Sequence, residues 1–560
     1  MNRNTNAHFA EMPSVDIQRS ILDRSCSHKF AGNVGDVIPI YVDPDILPGD
    51  TVQMDTSKVV RFQTLLTPMM DNIQADIYWF FVPHRLVWDH WINFMGENTD
   101  SAWIPHTEYS IPQLRVPPKG ATSNNKVGTI LDYMGFPVEM PLTEAVEVNA
   151  LPIRAYCKVM DDWFRSEALT DPLNVYTGDA TVDATSEASY INDVPHGGKP
   201  FKAAKYADYF SSCLPSPQKG NPVTFPIKVG GDEVGVFVSG TDYSALSGEH
   251  KLWFKNGDSQ PGNGAVLNHS GQNPVFSYQG SIDTSAVPDN NSSWPINLAT
   301  YIPIMESSFT VNDMRYAFQL QKLLEKDARS GSRYIEVIRE HFGIKSSDAR
   351  LQRSEYLGGN RFGIVVDQVS NQAQTEQDFL GDLGAFSVTS DVHSDFTFSA
   401  QEHGTLLGLM VLRYDHTYSQ GLEKFWSRKT RFDYYWPVFA NIGEQPVLKK
   451  EIFLTGSEAD DQTFGYNEAW ADYRYKPNRV SSYMRPYINT GLFSWSLADD
   501  YDSSPSLSDS WIREDDNTVD RVLAVTKQAS GFQFWADVYF STKYTRPMPV
   551  YSVPGLIDHH

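Results

Sequence analysis

Cysteine is scarce: Cys26, Cys157 and Cys213 are the only three in 560 residues, and they are far apart. That excludes a CxxC metal pair and a disulfide framework. Basic residues are few as well, with 46 Lys and Arg against 69 Asp and Glu, for a formal net charge of −23. Affinity for nucleic acid in general comes from cations that neutralise phosphates. A chain that coats nucleic acid with its whole surface is therefore excluded, and any such contact must be local or made through a basic partner. No apolar run reaches the roughly 18 residues that span a bilayer. The opening MNRNTNAHFAEMPSVD has no apolar core for a signal peptide. The expectation is a soluble chain, without membrane insertion, made in a reducing cytoplasm.

Catalytic motifs are absent too. Gly230-Gly231 and Gly262 with Gly264 lack the GK[ST] ending and the following helix of a phosphate loop. Around Ser419 a Thr, Thr417, stands where a nucleophile elbow needs its first glycine. His84, His90, His393 and His403 show no HExxH spacing and read as solvated or packing residues. Asp500-x-Asp502-x-Ser504 begins like a calcium loop, but Pro505 occupies the glycine position, so a solvated acidic loop is the better reading. The sequon at 291–293 has no secretory context and reads as chance. No catalytic residue, cofactor or metal ligand is expected. One enzyme class needs no motif: a glycosidase asks only for two spaced carboxylates in an aromatic groove. An all-β carbohydrate-binding or glycoside-hydrolysing protein is the alternative reading.

What is abundant is hydrophobic and aromatic material, 41% and 13% of the chain, too much for a disordered polypeptide. The 33 prolines and 37 glycines are spread throughout, which suits short strands and long loops. Strands are expected at Val37–Val42, at VVRFQTLL and at IQADIYWFFVP, whose nearly continuous apolar stretch implies cover on both faces. A short helix at LVWDHWINFMG should stop at Gly96. In LPIRAYCKVMDDWFRSEAL, Ile153, Tyr156, Cys157, Met160, Trp163 and Phe164 form one helical face behind Pro152, so Cys157 is a packing residue.

The composition changes after Arg165. No arginine follows until Arg315, and residues 196–295 hold 13 Gly and 9 Pro, the mark of a loop-rich inserted module. Lysines and acids nearly cancel there, so it is not expected to face nucleic acid. Helices return in NDMRYAFQLQKLLEKDARSGSRYIEVIREHFG. There Asn312 can cap, Met314, Ala317, Phe318, Gln321 and Leu324 share a stripe, and Glu325 and Arg329 have i,i+4 spacing. From Arg361 onward the pattern is strand and turn.

FGYNEAWADYRYKPNRVSSYMRP interleaves the rings Phe464, Tyr466, Trp470, Tyr473 and Tyr475 with Arg474, Lys476, Arg479 and Arg485. Rings and cations in alternation suit stacked bases and phosphates, but they equally suit a protein–protein contact. Region 455–520 carries 13 acids against 5 bases, which favours packing.

Several stretches resemble the major capsid protein of the microviruses, small icosahedral single-stranded DNA bacteriophages, and of their gokushovirus branch in particular. They are IQRSILDRSCSHKFAGNVGDVIPIYVDPDILPGDT, LLTPMMDNIQADIYWFFVPHRLVWDHWINFMGE, LPIRAYCKVMDDWFRSEAL, AFQLQKLLEKDARSGSRYIEVIREHFGIKSSDARLQRSEYLGG, TRFDYYWPVFANIGEQPV and the interleaved stretch above. They cover most of 17–165 and 312–486; the segment from about 170 to 310 shows no resemblance.

The resemblance implies a mainly β chain, an eight-stranded antiparallel jelly-roll barrel with long loop insertions and a few short helices. The expected divisions are an extended arm at 1–30, a first part of the roll at 31–169, a variable surface protrusion at 170–310, a helical pair at 311–350 and a second part at 351–560. It implies pentamers and a 60-copy T=1 shell around packaged single-stranded DNA, assembled in the host bacterial cytoplasm. A small basic DNA-binding protein, a pilot protein, a scaffold and a host surface receptor are the implied partners, with the protrusion contributing to host attachment. Trp470, Tyr473, Tyr475, Tyr434 and Trp436 are the expected subunit-interface residues, and Arg474, Lys476, Arg479 and Arg485 the expected DNA contacts.

Overall fold

In the computed structural model the described residues are 18–97, 107–221, 311–330, 334–344, 352–370, 383–488 and 492–551, with short strand segments between 236 and 300. The chain divides into a unit made of 1–219 with 325–560 and a second unit, 220–324. The lapse of the family resemblance suggested 170 and 310 as the bounds, and the rise in Gly and Pro a core at 196–295.

Two antiparallel sheets build the larger unit. The strands of these two sheets up to residue 414 are β1 (Ser20–Asp23), β2 (Cys26–Gly32), β3 (Ile38–Ile46), β4 (Thr51–Phe62), β5 (Ile73–Pro83), β6 (Glu355–Gly363), β7 (Thr389–Ser399) and β8 (Gly404–Tyr414), with smaller strand pairings elsewhere in the unit. A hairpin of β9 (Glu444–Leu448) and β10 (Thr463–Glu468) lies outside the two sheets, and the last strand is β11 (Phe534–Arg546). One sheet runs β2-β11-β4-β7, with β1 also on β11; the other runs β6-β5-β8-β3. The second half of the segment expected as an arm is extended, but it is paired: Cys26–Gly32 lies against Phe534–Phe540. Residues 1–17 lie outside the described set.

Sequence pattern explains the layering. Along β4, TVQMDTSKVVRF alternates, and Val52, Met54, Thr56, Lys58, Val60 and Phe62 are the buried set. β5 is apolar along most of its length because it is covered on both faces. Ile77, Trp79 and Phe81 join Val52, Met54, Leu406 and Met410 in the core between the sheets. Phe80 and Val82 join Leu407, Leu409, Tyr156 and Cys157 in a second core. Gly408 on β8 is required by close approach, since a Cβ there would sit 2.6 Å from the Trp79 indole.

The second core is roofed by helix α1 (Leu151–Val159), with Pro152 in its first turn. The helix continues as a π turn over Met160–Phe164, where Arg165 N–H donates to Met160 O at 2.9 Å. Cys157 is fully buried and burial raises its thiol pKa, as a packing residue requires. The predicted helix before Gly96 is a single turn, Trp91–Phe94. Helix α2 (Val311–Ser330) is followed by α3 (Tyr334–Phe342), which stops at left-handed Gly343. Arg329 pairs with Glu444, a tertiary partner, where the i,i+4 spacing suggested Glu325. Met314 and Phe318 on the predicted stripe are 42% and 60% exposed. The Asn312 side chain, Gly230-Gly231, Gly262, Gly264 and the sequon lie outside the described residues.

Within the second unit, Ala265–Ser270 pairs with Asn273–Ser277 and with Lys251–Leu252, and Leu298–Thr300 pairs with Val236–Val238. Among the described residues no helix is long and apolar enough to cross a membrane.

Candidate functional site

The interleaved stretch and the segment 423–442 fold next to each other in the larger unit. Short turns carry the latter: Lys424–Ser427, Arg431–Asp433 and Pro437–Phe439. The Asp433 carboxylate accepts from Thr430 N–H at 2.6 Å and Lys429 N–H at 2.8 Å, and these bonds hold its pKa below the ordinary carboxylate value. So braced, the segment leaves its rings in solvent: Trp426, Phe432, Tyr434, Tyr435 and Trp436 are all exposed, and Val438 is 88% exposed.

Trp470 anchors this segment from inside the subunit. It is buried and left-handed (φ 63°), donates Nε1–H to Phe439 O at 2.8 Å and donates its backbone N–H to Gln445 Oε1 at 3.2 Å. Its ring meets Tyr435 and Tyr473 edge-on, with centroids 5.7 and 6.0 Å apart. Within its own chain Trp470 is therefore a buried anchor that sets the exposed rings of this segment in place. Tyr473, Tyr475, Tyr434 and Trp436 are each roughly half exposed. Arg428 pairs with Asp472 and lies over the Tyr434 and Tyr473 rings, which fixes both without covering them.

The four cations expected at DNA have partners in the chain. Glu423 accepts from Lys476 Nζ at 2.7 Å and from Arg479. Burial pushes the Glu423 carboxyl up, but these hydrogen bonds outweigh it and its pKa is lowered. Arg474 pairs with Glu468, and Arg485 donates to the Tyr487 hydroxyl at 2.7 Å. Glu423, Lys476, Arg479 and Arg485 line a groove of about 870 Å³ with Phe425, Trp426, Tyr473 and Tyr475.

Its floor includes Tyr209, Phe210 and Tyr418, which belong to a buried network no local pattern announced. His416, fully buried, holds Asp499 Oδ1 at 2.8 Å on Nδ1 and Glu514 Oε1 at 3.0 Å on Nε2. Lys205 Nζ reaches Asp499 at 3.4 Å and sits 4.5 Å from the Trp511 ring centroid. Tyr501 donates to Asp499 at 2.7 Å, and Trp511 Nε1–H donates to Tyr501 at 3.1 Å. Burial opposes a charge on His416, but Asp499 and Glu514 outweigh it and raise its pKa to about 9. Asp499 is pushed up by burial yet held well below the carboxylate range by His416 and Lys205.

His84 is a packing histidine, its Nε2 at 3.1 Å from Pro44 O and its pKa lowered by burial to about 4. His90 pairs with Asp179 at 2.9 Å and His393 with Asp395 at 3.3 Å. His403 packs against the Trp91 ring. Among the described residues no group of His, Cys, Asp and Glu could hold a metal ion.

A family model described as Capsid protein (F protein) matches residues 10–556. Capsid protein VP1 of Chlamydia phage 1 is 37% identical over 592 aligned residues, covering 98% of this chain and 97% of the relative. Capsid protein VP1 of Spiroplasma virus 4 is 37% identical, covering 94% and 93%, and that of Bdellovibrio phage phiMH2K is 35% identical, covering 99% and 98%.

Proposed function

This chain belongs to the phage capsid protein (F protein) family, and we propose that sixty copies of it close into the T=1 shell of a small single-stranded DNA phage of the gokushovirus branch. It is a structural protein of the virion rather than an enzyme, and with the family established the carbohydrate-active alternative falls.

The observation that carries the architectural part is strand order. Numbering the eight strands β2, β3, β4, β5, β6, β7, β8 and β11 from one to eight, the sheets run 1-8-3-6 and 2-7-4-5. That interleaving is the pattern of a jelly roll, two Greek keys wrapped into a sandwich. The exposed Tyr434, Trp436, Tyr473 and Tyr475 then serve as contacts between subunits, because rings and arginines are enriched where protein surfaces meet. Arg474, Lys476, Arg479 and Arg485 brace that surface through Glu468, Glu423 and Tyr487; packaged DNA is the competing partner for them.

A shell of chains each near −23 repels a genome. A small basic protein packaged with the DNA answers that repulsion, alongside a pilot protein and assembly scaffolds in the host cytoplasm. The 220–324 unit, folded as a separate body, is the candidate attachment protrusion. If particles lacking it adsorb to the host normally, attachment is wrong.

The test of the whole is the mass of the assembly by analytical ultracentrifugation, with scaffold proteins supplied. Sixty copies of a 63.2 kDa chain weigh about 3.8 MDa and a pentamer about 316 kDa. A clean monomer would sink the proposal.

A further inference from the structure

Four lysine and arginine side chains are buried among the described residues: Lys58, Arg154, Lys205 and Arg546. Three hold a carboxylate, Asp391 for Lys58, Asp499 for Lys205 and Asp50 for Arg546. Arg154, 5% exposed on α1, is the exception. Its Nη1 donates to Val87 O at 3.3 Å and Gly178 O at 3.0 Å, while its Nη2 is buried with no partner among the described residues. Asp89 and Asp179 act on it only at longer range, and each is engaged elsewhere. Asp179 accepts from Trp88 and His90, and Asp89 from Thr177. A guanidinium does not shed its proton to escape burial, so the site holds a desolvated positive charge without its counter-ion.

Beside that charge lies a cavity of about 380 Å³, lined by Arg154, Ile153, Val175, Tyr176, Val182 and His196. The His196 Nδ1 is a second buried polar atom without a partner. The Tyr176 ring centroid is 5.8 Å from the guanidinium. The volume falls in the range of small-molecule sites, about 300–1,000 Å³. We propose that this cavity binds a small organic carboxylate with a compact apolar body. The carboxylate takes the Arg154 Nη2 donor and His196, and the body lies against Ile153, Val175 and Val182. A carboxylate matches a guanidinium in charge and in planar geometry. A phosphate dianion would need more donors than these apolar walls offer.

The test uses assembled particles, with benzoate as probe and benzamide, its uncharged near-isostere, as control, read by saturation-transfer NMR and thermal shift. Benzoate is expected to bind at least tenfold tighter than benzamide, and Arg154→Met to remove that preference. Ala180 lines the cavity and is exposed. Ala180→Phe should therefore block the mouth without disturbing the fold, and it carries the test if Arg154→Met fails to assemble. Equal binding of the two probes overturns the proposal. So does benzoate binding that survives Ala180→Phe, or that survives Arg154→Met in intact particles.

Discussion

Two neighbouring regions of this subunit are made of the same materials and use them oppositely. Around His416, rings and ions are closed over: Lys205, Asp499, Glu514 and Trp511 are buried and are linked to His416 and to the half-buried Tyr501. Around Glu423 the ions also pair, with Lys476 and Arg479, but the rings stay in solvent, with Trp426 69% and Trp436 49% exposed. An aromatic-rich composition thus answers two demands at once. Rings locked in a buried network specify the fold, and rings braced at the surface form an apolar patch that a free monomer would rarely keep.

The comparison breaks first at its buried side. His416→Ala would strand Glu514 without a counter-charge and leave Asp499 with Lys205 alone, at a cost of about 3–5 kcal/mol. Chemical denaturation of the subunit should register it, and wild-type stability would mean the network is not a keystone. Trp470→Ala should cost about 3–4 kcal/mol, because the indole is buried and its Nε1–H bond to Phe439 is lost with it. If instead it behaves like a surface substitution, Trp470 belongs with the exposed rings after all.

Alkaline pH tests the same network without a mutation. His416 is raised from 6.5 in the unfolded chain to about 9 when folded, so its contribution is whole below pH 6.5 and is lost as pH rises through about 9. The shift corresponds to about 3 kcal/mol. Unfolding free energy should fall across that window, with the fall largely absent in His416→Phe. A flat profile in the wild type would refute the clamp.

The exposed side gives smaller monomer effects. Trp436→Ala should leave subunit stability within about 0.5 kcal/mol, yet weaken assembly by about 2 kcal/mol for each contact made, read by light scattering against concentration. Unchanged assembly would remove Trp436 from the interface. Smallest of all, Glu423→Gln frees two cations, and retention of single-stranded DNA should change by less than about twofold if they only brace the surface. A tightening of about tenfold at low salt, with a steeper salt dependence, would move Lys476 and Arg479 to the genome side.

Local pattern made much of this legible. Ile73–Pro83 reads as a strand covered twice, and its odd and even side chains do enter two different cores. The Leu151 helix and the fate of Cys157 follow from a 3.6-residue period. The π turn at Met160–Phe164 does not, because one extra residue in a turn leaves no mark in periodicity. Nor does His416, whose partners lie 83 and 98 residues away. Tyr209, Phe210 and Cys213 were hidden by averaging: they pack into a core of the larger unit, yet stand in a Gly- and Pro-rich stretch that reads as loop. The exposed rings were visible as rings, but composition could not separate Trp470, turned inward, from Trp436, turned out.

The strand that sits between β2 and β4 is β11, and Ser20–Gly32 finds its strand partner in Phe534–Arg546. During synthesis the first-made strands of that sheet must therefore wait, unpaired, for the last one to leave the ribosome. A polypeptide halted between residues 414 and 534 holds every strand of its second sheet but lacks the strand that joins β2 to β4. The order of the strands thus acts as a proofreading step, which keeps unfinished subunits out of a structure that tolerates no missing wall.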